Sequence, residues 1–170
     1  QDAYLTKSEL KGKSADKLFA AAAGTVVGPV YESGMYKAIR VMDRKMVPDS
    51  VEVRQIFVQA QQSPDGLKNA RAKVDSIKRV LENGGDFESL ASSHSDDNSK
   101  ENGGNLGYIQ RDATYPPQLM NAFFYDNKQG DLFVLDLPNG ALLGEVLNSK
   151  ATSQGVKIAT LSQNIVASSE

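Results

Sequence analysis

The sequence predicts an α+β fold, an antiparallel sheet with short helices around it. Three observations carry that prediction. Apolar residues recur at helical spacing between start and stop signals at 63–85. The segment 51–57 alternates with the period of a strand. Two apolar runs meet at Pro138-Asn139-Gly140, the mark of a hairpin.

Taken in chain order, the first of these elements is a strand. Val51, Val53, Gln55 and Phe57 alternate with Glu52, Arg54 and Ile56. Ser63-Pro64-Asp65-Gly66 then offers an N-cap followed by proline in a first helical turn. Leu67, Ala70, Val74, Ile77 and Leu81 follow at helical spacing, with charged residues between them. Asn83-Gly84-Gly85 is a stop signal. Asp86 is placed to cap a second, short helix whose inner face holds Phe87, Leu90 and Ala91. The stretch from Ser92 to Gly107 is polar and glycine-rich, and reads as a loop. Pro116 and Pro117 lead into a further short helix with Leu119, Ala122 and Phe123. Leu132–Leu137 and Ala141–Leu147 are the two strands of the hairpin.

The N-terminal part repeats the plan of the second half. Tyr4 to Lys45 runs as tyrosine, polar stretch, aromatic-bearing short helix, glycine, apolar strand, turn and strand, and Tyr108 to Lys150 follows the same order. Any helix and hairpin unit shares part of that order, so the blander reading is coincidence of topology. Pro48-Asp49-Ser50 and Ala151 to Gly155 read as boundaries. The expected division is a partial repeat over 1–48, a complete domain over 51–150, and a strand-forming extension or the start of a next unit over 151–170.

Composition excludes several function classes. The 19 basic and 21 acidic residues leave a formal charge of −2, with no long basic run, so nothing attracts nucleic acid or an anionic membrane. The chain has no cysteine, which removes disulfides, thiolate metal sites and a thiol nucleophile. Its one histidine, His94, rules out a histidine-rich metal centre. Asp96-Asp97-Asn98 lacks the glycine and distal glutamate of an EF-hand loop, so no metal is expected there either. No apolar stretch approaches the length of a membrane helix, and no signal-peptide pattern opens the sequence. The abrupt start at Gln1 and stop at Glu170 read as a piece cut from a longer protein.

An ordered set of motifs then points to a family. Arg54-Gln55-Ile56-Phe57-Val58 closes the first strand. Gly84-Gly85-Asp86-Phe87-Glu88-Ser89-Leu90-Ala91 follows the long helix. Then come Ser95-Asp96-Asp97-Asn98-Ser99, Gly103-Gly104-Asn105-Leu106-Gly107-Tyr108 and Gly140-Ala141-Leu142-Leu143. In this order, over nearly all of 51–150, the set resembles the parvulin-type peptidyl-prolyl isomerases. Those domains carry a Ser-His-Ile-Leu-Val-like strand end, a Gly-x-Asp-Phe-x-x-Leu-Ala segment and a Gly-Gly-Asp-Leu-Gly run. The resemblance implies a parvulin (FKBP-like) antiparallel sheet with short helices, and catalysis of Xaa-Pro isomerisation without a cofactor.

It also assigns site residues. The family's two histidine positions fall on Gln55 and Leu142, its Ser or Thr before the second histidine falls on Asn139, and its central acid or thiol is kept as Asp97. The apolar floor that grips the proline ring corresponds to Leu106, Tyr115, Leu119 and Phe124. Read without the resemblance, Asp97 is a turn-forming residue, Gln55 an ordinary strand polar residue, and Leu106, Leu119, Leu142 and Phe124 core. His94 reads as a solvated or structural loop residue. The resemblance implies a weak isomerase acting on unfolded or proline-containing polypeptides. The alternatives are a lapsed domain that holds such clients as a chaperone, and a structural spacer between active domains. It further implies an extracytoplasmic, periplasmic-type bacterial setting, with no membrane contact by this segment and room for an anchor outside it.

Overall fold

A computed structural model describes residues 3–112 and 114–164. The elements in chain order are β1 (Tyr4–Thr6), α1 (Ala15–Ala20), β2 (Val26–Glu32), β3 (Met35–Gln59), α2 (Gly66–Glu82) and α3 (Phe87–His94). A 3-10 turn (Asn98–Asn102), β4 (Asn105–Gln110), α4 (Pro117–Met120), a π-helical turn (Asn121–Asp126), β5 (Leu132–Leu137) and β6 (Gly140–Asn164) complete the order. The strand order is β1-β6-β3-β2, with β4 beside β3 and β5 beside β6. The fold is α+β with an antiparallel sheet, as the periodicities predict.

The chain forms two compact units, one of residues 1–47 with 152–170 and one of 48–151. β3 and β6 each contribute residues to both. In the first unit, β1 pairs with Gly155–Lys157 of β6 and β2 pairs with the start of β3. Leu10, Leu18, Ile39, Val41 and Val156 form its core. The extension expected over 151–170 is strand as far as Asn164, and its last six residues lie outside the described ones. The stretches 4–45 and 108–150 share an order of strand, helix and hairpin. A shared order is common to helix and hairpin units, and duplication is not shown by it.

The second unit carries the candidate site. Ile56 and Val58 of β3, Ala141 and Leu143 of β6, Ala70, Val74 and Ile77 of α2, and Phe87 and Ala91 of α3 pack into one core. Fully burying such a side chain is worth about 1.5–3 kcal/mol, so this layer fixes α2 against the sheet. Leu67, expected on the inner face of α2, is 52% exposed instead, because the helix starts at Gly66 and Leu67 lies on the side away from that core. Pro64 precedes the first turn rather than entering it, and Asp65 takes the N-cap position without a side-chain bond. The stop at 83–85 works as read. Gly84 adopts φ +88°, and the N–H groups of Gly84 and Gly85 donate back to Leu81 O and Val80 O. Asp86 caps α3 by accepting from Ser89 N–H at 2.8 Å.

The expected loop over 92–107 is more ordered than its composition suggests. α3 runs to His94, a 3-10 turn fills Asn98–Asn102, and β4 begins at Asn105. The reason is pairing distant in sequence. Ser50 to Arg54 of β3 take Gln110 to Asn105 of β4 as antiparallel partners, which no local pattern records.

Candidate functional site

The site is built on β3, whose side chains alternate between two faces. Ile56 and Val58 face α2. Gln55 and Phe57 therefore face the other way. β6 shows the same alternation. Ala141 and Leu143 join the α2 core, so Leu142 lies on the opposite face. Ala60 N–H donates to Asn139 O, and a Cβ on Gly140 would overlap Val58 O, so β3 and β6 run antiparallel here. Counting from that bond, Leu142 stands level with Phe57, one same-face step from Gln55. Leu142 is 3% exposed and pairs with Leu135 of β5.

The loop after α3 brings in the carboxylate. β4 pairs with β3 only as far as Arg54, which leaves the next β3 backbone groups unpaired on that edge. The loop occupies them. Gln55 N–H donates to Gly104 O at 2.9 Å, Phe57 N–H to Ser95 Oγ at 3.1 Å, and Gln59 N–H to Asp96 Oδ2 at 2.9 Å. In return Asp96 N–H donates to Phe57 O at 2.7 Å. Gly104 permits this approach. It holds φ +82°, and a Cβ there would overlap Gln55 O.

Held this way, Asp97 comes within interaction range of the Gln55 side-chain amide. Its carboxylate caps the 3-10 turn, accepting from Ser99 N–H at 2.8 Å. Burial pushes the Asp97 carboxyl up, but Ser99 and then Gln55 favour the ionised form by more, and the net direction is below the usual carboxylate range. Ser99 Oγ is buried without a partner at full hydrogen-bonding geometry. Its contribution is a near approach, and the backbone N–H is the bond that counts. The turn-forming reading of Asp97 and the site reading describe the same carboxylate.

The remaining expected residues are placed as follows. Asn139 is exposed at the hairpin turn, beyond the end of β3, about 16 Å of strand from the level of Gln55. Leu106 sits at a bulge. Asn105 pairs with Arg54 and Gly107 with Val53, so Leu106 has no partner and is 39% exposed. Tyr115 is exposed and Leu119 half-buried. Phe124 is buried, with its ring 6.5 Å from that of Tyr125. His94 ends α3 and is half-buried.

Three residues of this arrangement carry no site role in the sequence reading. Ser95 is 4% exposed and pins the loop to β3, and Ser99 stands over Asp97. Their alternate spacing around Asp97 was the available signal. Phe123 meets the Gln55 face. A Cβ on Gly144 would strike the Phe133 ring, which places Phe133 on that face, and Phe123 packs edge-on to it at 5.4 Å. No group of three or more potential metal ligands occurs among the described residues.

Comparisons with known proteins agree with this architecture. The family model described as the PPIC-type PPIase domain matches residues 36–150. A Chaperone SurA of Methylobacillus flagellatus is 31% identical over 126 residues, covering 70% of this chain and 29% of that protein. A Chaperone SurA of Methylococcus capsulatus is 33% identical over 108 residues, covering 58% and 23%. The chain thus spans less than a third of the length of these relatives. Among solved structures, the peptidylprolyl isomerase PrsA of Bacillus anthracis aligns with a TM-score of 0.50 at 28% identity, over 61% of this chain and 43% of that one. PrsA of Bacillus subtilis aligns with the same TM-score at 19% identity, over 61% and 36%, a likeness of fold alone. With the family model matched over more than half of its length, the chain belongs to the PPIC-type peptidyl-prolyl isomerases, the parvulins.

Proposed function

We propose that residues 51–150 form a peptidyl-prolyl cis-trans isomerase domain of a larger protein-folding factor, with turnover weakened by its altered polar centre. The observation that carries this reading is the docking of the 95–97 loop on β3, which sets the Asp97 carboxylate beside Gln55. Rotation about an Xaa-Pro bond loses amide resonance, a barrier of roughly 18–20 kcal/mol. Lowering it requires a grip on the proline ring, exclusion of water and electrostatic support of the twisted amide. No covalent intermediate and no cofactor are needed, so loss of the family's imidazoles weakens catalysis without abolishing its basis. Asp97 supplies charge, Gln55 a hydrogen bond, and Leu142 only apolar surface. Leu106, Tyr115 and Leu119 are the contact surface for the proline ring, and the buried Phe124 supports it from behind. Asn139 stands at a family position but has no direct part.

The clients in this reading are unfolded or proline-containing polypeptides, and the setting is extracytoplasmic and bacterial, by analogy with the relatives named SurA and PrsA. Residues 1–48 serve as a partial repeat and 151–170 as a strand-forming extension.

A second reading, a holding module without turnover, is favoured by one observation: Leu142, which the resemblance aligns with the second histidine, is apolar and buried. Two assays separate the readings. Isomerisation of an Ala-Pro peptide and suppression of client aggregation are measured for the chain and for Asp97→Ala. Loss of isomerisation alone supports the enzyme. Aggregation suppressed equally by both, with no isomerisation in either, replaces it with the holding module. Failure of both assays leaves a spacer.

A further inference from the structure

The end of β3 and the first turns of α2 enclose a cleft of about 530 Å³ on the α2 side of the sheet, away from the face of Gln55. Its floor is small and apolar. Val58 and Ala70 are each 4% exposed, and Gly66 has no room for a side chain, because a Cβ would overlap Gln61 O. Its rim is polar. Gln61, Asn69 and Lys73 line it, and their side chains make no hydrogen bond or ion pair among the described residues. Asp96 completes the rim, with Oδ2 accepting from Gln59 N–H and Oδ1 without a partner among the described residues.

Two features define what would fit. The rim offers donors and acceptors together, two amides with an ammonium and a carboxylate. Its one cation and one anion also cancel, so it selects no charge. A neutral ligand that alternates donors and acceptors matches this lining, and the main chain of an extended polypeptide is such a ligand. The cleft also joins the candidate site through one loop, since Asp96 borders the cleft and Asp97 borders Gln55. Gln55 and Gln59 are about 13 Å apart along β3, and the two sites open on opposite faces of the sheet, so a client joining them passes round the strand end and spans more than four extended residues.

We propose that this cleft is a second peptide subsite, which holds the main chain of a client more than four residues from the proline engaged at Asp97 and Gln55. The proposal rests on the isomerase-domain reading above.

The test uses two neutral peptides of Ser, Asn and Ala, each with one Ala-Pro bond, one of four residues and one of twelve. Titration calorimetry on the chain is expected to show the longer peptide binding about tenfold tighter, the effect of a few added hydrogen bonds. Asn69→Trp, at an exposed rim position, fills the cleft. It removes that advantage and leaves the short peptide unchanged. Lys73→Ala removes one donor and reduces the advantage by about threefold. Equal affinity of the two peptides for the parent chain overturns the subsite while the isomerase reading stands. A longer peptide that binds tighter only when made acidic, through Lys73, overturns the neutral main chain as its ligand. No binding of either peptide overturns the reading on which the proposal rests, and the proposal with it.

Discussion

Replacing Ser95 by alanine tests how the candidate site is assembled. Ser95 is 4% exposed, and its Oγ accepts from Phe57 N–H at 3.1 Å and from Asp97 N–H at 3.3 Å. Alanine leaves both donors without that acceptor. An unsatisfied buried donor costs about 1–3 kcal/mol, less where water reaches it. Phe57 is half-buried within the sheet and Asp97 borders the surface, so the sum is about 2–4 kcal/mol. With a urea m-value of about 2 kcal/mol/M, the unfolding midpoint falls by roughly 1–2 M. Ser99→Ala supplies the contrast. Ser99 Oγ is also buried, but has no partner at full geometry, while the bond that Asp97 accepts comes from the Ser99 backbone. Its removal changes stability by less than about 0.5 kcal/mol. Urea unfolding of both variants, followed by circular dichroism, gives the comparison, and amide exchange at Phe57 locates the effect. Equal midpoints for the two variants would refute the docking of the loop through Ser95.

Three further outcomes follow from the same geometry. Asp97 has its folded-state pKa lowered, so its contribution to stability is present above the unfolded value of about 4 and is lost as pH falls through the folded value. Asp97→Asn, which keeps a capping oxygen for Ser99 N–H, should flatten the acid limb of a stability-against-pH curve below about pH 4, and an unchanged limb counts against the assignment. The double variant Gln55→His with Leu142→His should raise isomerisation of an Ala-Pro peptide by about tenfold or more, since a positioned imidazole adds acid–base and hydrogen-bonding capacity. It should also lower stability by about 2–4 kcal/mol, because position 142 is buried; turnover no faster than the parent's argues against the replaced residues as the cause of weak activity. Gly104→Ala meets both a positive φ and the carbonyl of Gln55, and should cost more than about 2 kcal/mol by thermal unfolding. A near-neutral result contradicts the close approach of the 103–104 turn to β3.

The domain itself was legible from local patterns. Helix α2 shows in the spacing of Ala70, Val74 and Ile77. The cap at Asp86 and the hairpin at 138–139 show because capping and tight turns are decided by a few adjacent residues. The order of motifs from Gln55 to Leu142 identified the family, because each motif performs a local backbone task.

What remained out of reach depended on partners far along the chain. Leu67 fits the helical period as well as Ala70 does, yet only the position of the core exposes one and buries the other. The stretch from Ser92 to Gly107 reads as loop because its order comes from the edge of β3, some 40 residues earlier in the sequence. β3 reads as ending near Phe57 and starting near Val51, although it runs unbroken from Met35 to Gln59, since strand length is set by pairing with neighbours and not by composition. Phe123 and Phe124 are equivalent as letters, and only the fold shows that Phe123, within the π-helical turn, packs on Phe133. The sequence by itself therefore determined the family and the local elements, because those are properties of neighbouring residues. Only the tertiary structure decided that Ser95 pins Asp97 beside Gln55, because that arrangement joins loop side chains to β3 backbone groups some 40 residues earlier.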